Sequence, residues 1–524
     1  MNKIPGTPAN QRKLIICFTG ALALALIFLA VLKWTGAGRH SASPDATVVS
    51  DTAQDQSAVT DSAANSADTE NNAGDPISGD TAAGNNDANA GDAGKNGNVA
   101  DGDKTPGTSD TNVSSSSTSD KGKDKPAPEE GKQDREDLSG NKAYEPIPVP
   151  EEVRGIWFSY HEWQDAPSDK KEFKAYADEV MDNLVELKMN TIYVHVRADA
   201  DAMYPSEIFP WSKFITGTQG EDPGYDPFDI MVDAAHEHGI RIHAWINPYR
   251  ITNKDNTWEE VSLDNPARIW YFSGEPGIDR LVLLQDGQYY FNPSKPEVRE
   301  LIKSGVKEIL DNYDVDGIHM DDYFYPVLND GDKTRWFDYP DYQASGSELT
   351  ATEFRRENVN ILLRDLYSMV KEKDETIEFG ISPAGNLDNL YSDSQYFADV
   401  EKWMTEDGYV DYVIPQLFWG FETKLQNKKA APWAYKNNLS RWTKLHKNKD
   451  VALYIGLPMY LAGTDVYDNN KTSEWLRHDD IISRQVTTAR KNSNVSGFVF
   501  FSYNSFFKDE SAAEVENLLK VIDK

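Results

Sequence analysis

One alternation recurs eight times between Val153 and the carboxyl terminus: a short apolar run, a polar cluster, then a segment with helical spacing. The runs are Val153–Ser159, Thr191–Arg197, Arg241–Asn247, Val315–Met320, Ile377–Ser382, Tyr412–Leu417, Ala452–Leu457 and Gly497–Ser502. Short apolar runs bounded by polar clusters read as buried strands. Strands separated by helices form right-handed parallel units, and eight of them close into a (β/α)8 TIM barrel. An open doubly wound sheet is the alternative. It is weakened because no Gly-rich phosphate turn follows any strand.

The helical segments carry their own signals. Lys171–Lys188 places Phe173, Ala177, Val180, Met181, Leu184 and Leu187 on one face, and Asp226–His238 stops at Gly239. Ser294 and Glu297, like Thr350 and Glu353, have the spacing of a capping box, in which a hydroxyl caps backbone amides and the glutamate reaches back. They open helices over Glu297–Asn312 and to about Lys373. Further helical segments are expected within Asp393–Glu406, Trp433–Lys447, Ser473–Lys491 and Glu510–Ile522. Pro248–Pro293 is too long for an ordinary connection and is expected to wall a binding cleft.

Composition divides the chain into residues 1–40, 41–143 and 144–524. Leu14–Leu32, nineteen residues without a charge, is long enough to cross a bilayer. It reads as an uncleaved signal anchor, with a cleaved signal peptide as the alternative. Lys3, Arg12 and Lys13 before the span, against Lys33 and Arg39 after it, favour an amino terminus inside. The chain is then a single-pass cell-membrane protein with its carboxyl-terminal domain extracellular. The single cysteine, Cys17, lies within the span, so the exported part has no disulfide. Residues 41–142 hold no aromatic residue and 20 Asp+Glu against 8 Lys+Arg, a net of −12. Such a segment cannot bury enough apolar surface to fold. As a coil of about a hundred residues its ends lie on the order of 55 Å apart, which suits a tether. The formal net charge of −33 excludes nucleic acid as a partner, since no basic groove can neutralise phosphates.

In a barrel the polar clusters after the strands meet at one mouth. The most informative lies within Tyr313–Pro326, where an apolar strand runs directly into Asp321 and Asp322 and then Tyr323. Alternation puts Asp321 on the same face as His319, making it the first candidate for nucleophile or base. Asp322 is the second acid if the chain turns there. The bland reading is that the two cap a helix or solvate a loop. Other strand ends supply His161 and Glu162, then Arg197, Asp199 and Asp201, then Asn247, Tyr249 and Arg250. Later ones supply Ser382 and Asn386, then Gln416, Trp419 and Glu422, then Tyr460, Asp465, Tyr503 and Asn504.

Acids, amides, an arginine and many rings together have the character of a polysaccharide site. Arg197, Asp199, Asn247, Tyr249, Tyr323, Gln416, Trp419 and Glu422 are the candidate substrate contacts. Glycoside hydrolysis needs two carboxyl groups, and Glu422, Glu162 and Asp199 rival Asp322 as proton donor. The chemistry calls for no cofactor and no metal. A different class of enzyme, a metal-dependent deacetylase or amidase, would use His195, His243 and His319 with Asp321. These histidines lie below the strand ends and form no His-x-His pair, which favours core histidines bonded to neighbouring strands. Trp157 and Trp245 likewise read as barrel filling. A third reading is a non-catalytic glycan-binding barrel.

Several motifs resemble the glycosyl-hydrolase-like family 10 proteins. They are Arg154-Gly-Ile-Trp157, Val194-His-Val-Arg-Ala-Asp199, His243-Ala-Trp-Ile-Asn-Pro-Tyr249, Asn292-Pro-Ser-Lys-Pro-Glu-Val-Arg299, Asp316-Gly-Ile-His-Met-Asp-Asp322, Ile381-Ser-Pro383 and Asp411-Tyr-Val-Ile-Pro-Gln416. The resemblance covers most of Val153–Ser505. It implies an exported bacterial (β/α)8 barrel with glycosidase activity on cell-envelope glycan, peptidoglycan strands being associated with some members. By position Asp321 and Asp322 fall on the family's acidic pair, and Arg197, Asn247 and Gln416 on its polar mouth positions. The fourth run also resembles the chitinase strand, but Tyr323 stands at the catalytic glutamate position and His319 at the first inner aspartate. The substrate-assisted mechanism of chitinases is therefore not implied.

Overall fold

Eight parallel strands pair in chain order and close on themselves. They are β1 (Val153–Phe158), β2 (Thr191–Arg197), β3 (Arg241–Ile246), β4 (Gly317–Met320), β5 (Glu378–Ile381), β6 (Tyr412–Val413), β7 (Ala452–Leu457) and β8 (Gly497–Phe501). β8 returns to β1, with Val153 opposite Gly497. The computed structural model describes residue 144 and residues 146–524, except 253–256, 286, 322–323, 327, 329–335, 426 and 466–472. The expected span 14–32 and linker 41–143 lie outside these. Among the described residues no helix is long and apolar enough to cross a membrane.

The crossovers contain α1 (Lys170–Glu186), α2 (Pro227–Glu237), α3 (Pro296–Asn312), α4 (Ala351–Lys373), α5 (Val400–Trp403), α6 (Tyr435–Leu445), α7 (Ile481–Ala489) and α8 (Ala512–Ile522). In α1, Asp169 caps the start by accepting from the backbone N–H of Lys171 and Glu172 at 3.0 and 3.1 Å. Phe173, Ala177, Val180, Met181 and Leu184 form its buried face. The Thr350–Glu353 capping box is formed. The Ser294–Glu297 box is not: Pro296 takes the first helical position, Lys295 becomes the cap, and Ser294 bonds Asn292 Oδ1 instead. Two segments are shorter than the spacing suggests. Only Val400–Trp403 is helical within 393–406, and 473–491 is split into Glu474–Arg477 and α7.

Strand alternation sorts the core into two layers. Ile192, Val194 and Val196 face the helices. Trp157, Tyr193, Trp245, Tyr412, Phe418 and Tyr454 belong to a separate axial cluster. Glycines make that axial packing possible: a Cβ on Gly317 would collide with the His243 ring, and one on Gly380 with the Tyr412 ring. The 248–293 excursion folds as a helix, Pro266–Tyr271, and a hairpin, Val282–Gln285 with Gln288–Phe291. Phe291 N–H donates to Tyr249 O (2.8 Å), and Asn265 Nδ2 donates to Ala200 O (2.7 Å). The excursion therefore stands against the loops that follow β2 and β3.

Candidate active site

Trp245 pairs with His319 and Ile246 with Met320 across β3 and β4. The next residues, Asn247 and Asp321, therefore lie on the axial face shared with Trp245 and His319. Ser382 N–H donates to Met320 O (2.7 Å), so β5 extends the same level. Gln416, beyond β6, donates through Nε2 to the carbonyl (3.1 Å) and hydroxyl (3.2 Å) of Ser382. Four adjacent strands thus bring an amide, a carboxyl, a hydroxyl and a second amide to one level of the mouth. All four side chains are buried.

Rings surround this level. His195 stacks on Trp245 with centroids 3.8 Å apart and planes 4° apart. On the other side Trp157, Phe418, Tyr460 and Phe501 meet largely edge-on at 5.9 to 6.4 Å. Trp419 is half-buried at the rim, its carbonyl held by Gln485 Nε2 at 2.9 Å. Phe418 and Phe501 escaped the sequence reading, although alternation from Tyr412 and Val499 would have marked them. Several buried polar atoms here have no hydrogen-bond partner among the described residues: both ring nitrogens of His195, Trp245 Nε1, Asn247 Oδ1 and the Tyr249 hydroxyl. Asn247 adjoins His195 without meeting hydrogen-bond geometry. Burial, and then the charge of Arg250, hold the His195 imidazole well below its ordinary pKa.

The other candidates do not converge on Asp321. Arg197 was expected at the mouth, but a register shift between His195 and Arg197 turns it toward the helices. Its guanidinium lies 4.7 Å from the Phe209 centroid and against Gly305 of α3, and donates to the carbonyls of Asn247 (3.2 Å) and Pro248 (3.3 Å). Burial lowers its pKa to about 10. It braces the β3 exit from behind. Asp199 is buried in an ion pair with Arg250 Nε at 3.1 Å, and Tyr249 is fully buried beside the hairpin. Glu422 is exposed and paired with Arg477 at 2.7 Å, which holds its carboxyl below the usual range.

Glu162 is fully buried as a clip between the first and last strands. It accepts from the N–H and hydroxyl of Ser159, from the Ser502 hydroxyl (2.6 Å) and from Asn504 N–H (3.2 Å). Asp322 and Tyr323 lie outside the described residues.

The rival histidine site is divided. Trp157 Nε1 donates to His319 Nε2 (3.1 Å), and the Tyr412 hydroxyl joins His319 Nδ1 (3.2 Å) to His243 Nδ1 (3.0 Å). Burial pushes His319 down to about 3 and lowers His243 as well. His243 and His319 are core histidines bonded across strands. Among the described residues no three His, Cys, Asp or Glu side chains are gathered to hold a metal.

A closed parallel barrel carrying an acid, amides and rings at the carboxyl ends of its strands defines a (β/α)8 protein built for carbohydrate chemistry. The family model described as Glycosyl hydrolase-like 10 matches residues 152–476, and the chain belongs to that family. It is 33% identical over 379 residues to the glycosyl hydrolase YngK of Bacillus subtilis (strain 168), covering 68% of this chain and 69% of that one. It is 30% identical over 363 residues to the glycosyl hydrolase DigH of Escherichia coli (strain K12), covering 64% and 77%. Among solved structures, the glycoside hydrolase domain of PgaB (BpsB) from Bordetella bronchiseptica aligns at 14% identity with a TM-score of 0.47, over 69% of this chain and 98% of that one. The protein is a glycosidase.

Proposed function

We propose that this glycosidase acts on cell-envelope polysaccharide, specifically the glycan strands of peptidoglycan, from an anchor at Leu14–Leu32. The acidic linker lets the barrel reach its substrate outside the membrane. Asp321 serves as nucleophile or base, and Asp322 as the acid that protonates the leaving oxygen. The observation that carries this reading is the axial meeting of Asp321 with Asn247, Ser382 and Gln416 at the strand ends. The amides and the hydroxyl suit sugar hydroxyls, while the half-buried Trp419 at the rim offers a ring face.

The test is incubation of the full chain with purified cell-wall glycan, with fragments identified by mass. Reducing ends should appear with the native protein. Asp321→Asn should bind the glycan but release fragments at least roughly a thousandfold more slowly, about 4 kcal/mol of barrier. Release by that variant within tenfold of native would remove Asp321 from the chemistry. If no cell-wall glycan is cut while other polysaccharides are, the substrate assignment fails and the site stands.

A further inference from the structure

At the amino-terminal end of the strands, opposite the mouth, a cavity of about 560 Å³ lies between residues 146–149 and the starts of β4 to β7. Its two walls differ. One is apolar, formed by Tyr144, Pro146, Ile147, Pro148 and Val149. It is held down where the Tyr144 hydroxyl donates to Asp233 Oδ1 (2.8 Å) and its N–H to Asp314 Oδ2 (3.2 Å). The other wall is acidic. Asp316 is engaged by His236 (3.2 Å), Asp411 by Lys371 (2.8 Å) and Glu378 by Arg241. Asp314, Asp374, Glu375 and Asp450 line the same cavity and have no basic partner among the described residues.

Acidic side chains alone usually mark a solvated face. Here a second observation points inward. Tyr454 lines the cavity, is only 2% exposed, and its hydroxyl makes no hydrogen bond with any described residue. Burial, and then the charge of Glu378, keep this phenol well above its ordinary pKa, so it stays a proton-bearing donor and acceptor. The hydroxyl opens onto the cavity, so the floor has hydrogen-bonding capacity that the chain does not use. The chain also shows what such acids hold: the Lys371 ammonium lies 2.8 Å from both Asp411 Oδ2 and Ile377 O.

We propose that this cavity is a second ligand site, separate from the glycosidase mouth, for a linear organic cation such as an aliphatic amine or a lysine-like side chain. The ammonium sits among Asp314, Asp374 and Glu375, the methylene stem lies on Pro146 to Val149, and the Tyr454 oxygen accepts from a second nitrogen.

Spermidine is the probe, titrated calorimetrically into the full chain at 150 mM NaCl, where exposed charges beyond about 8 Å are screened. One saturable site per chain is expected. Tyr454→Phe should weaken it at least fivefold, and the double variant Asp314→Asn, Glu375→Gln at least tenfold. Because the Tyr454 hydroxyl makes no bond to the chain, Tyr454→Phe should keep the native melting temperature and the native glycosidase rate. Absence of a saturable site, or a site that both variants leave unchanged, would overturn the proposal. The latter outcome would mean attraction to the acidic chain as a whole.

Discussion

His243 and His319 differ from His195 by one layer of the barrel, and the difference separates what holds this protein together from what it works with. In the lower layer the polar groups form a bonded chain, and the nitrogen left at its end, His243 Nε2, lies 3.8 Å from Glu378 Oε2. Trp157 donates to His319 Nε2, so His319 carries its proton on Nδ1 and donates to the Tyr412 oxygen, and Tyr412 then donates to His243 Nδ1. In the upper layer His195 lies flat on Trp245, and neither of its nitrogens meets a described partner. Buried polar groups in folded proteins are almost always bonded. A group of them left over at the carboxyl ends of the strands must be completed by water or by a bound molecule. Glu162 sits at the mouth by position, yet by its bonding it belongs with the lower layer.

That assignment of Glu162 is the easiest to break. Glu162→Ala leaves two backbone N–H groups and two hydroxyls without their shared acceptor, and should cost roughly 3–5 kcal/mol in denaturant unfolding. A protein that stays stable but loses its turnover would make Glu162 a catalytic acid instead. Tyr412→Phe comes next. Removing the hydroxyl strands two buried imidazole nitrogens, so stability should fall by about 1–3 kcal/mol while kcat/KM of the folded fraction stays native.

His195→Phe should behave in the opposite way. The stack on Trp245 survives and no bond to the chain is lost, so stability should change by less than about 1 kcal/mol. The upper layer loses a neutral donor and acceptor, and kcat/KM should fall about tenfold, about 1.4 kcal/mol. If Tyr412→Phe and His195→Phe affect stability and rate alike, the two layers are not functionally distinct.

The barrel itself was legible because its signal is local. β2 and β7 match their apolar runs to the residue, since polar clusters bound them on both sides. β6 was read to Leu417 but its regular ladder stops at Val413, two residues before Pro415, which has no N–H to give. The site was less legible because its geometry depends on distant partners. Alternation put Asp321 on the face of His319. Position at a strand end put Asn247 and Arg197 at the mouth, and for Arg197 only the register with β3 reveals the shift that turns it away. Ser159 and Glu162 show a capping box in sequence that passed unnoticed. Even so, nothing near them announces Ser502 and Asn504, some 340 residues on. Perturbed acids cannot be read from sequence at all, since burial sets them.

One such acid tests whether a raised pKa marks function in this molecule, and its effect should be the smallest. Glu514 on α8 accepts from the backbone N–H groups of Ile481 (2.7 Å) and Ser483 (3.1 Å) at the start of α7. Burial raises its carboxyl from 4.5 to about 7 despite those bonds. Perturbed groups often mark active sites, but this one caps a helix in the outer layer. The folded chain holds the Glu514 proton more tightly than the unfolded chain does. The stability that this proton contributes is therefore complete below about pH 4.5 and is lost as pH rises through about 7. Glu514→Gln removes that loss, so the stability of the variant relative to the native protein should rise across this window, by on the order of 1 kcal/mol. Unfolding free energies measured from pH 4 to 8 would show it. The pH profile of glycan cleavage should be the same in both proteins; a profile that moves with Glu514 would tie the outer layer to the mouth and end the separation between them.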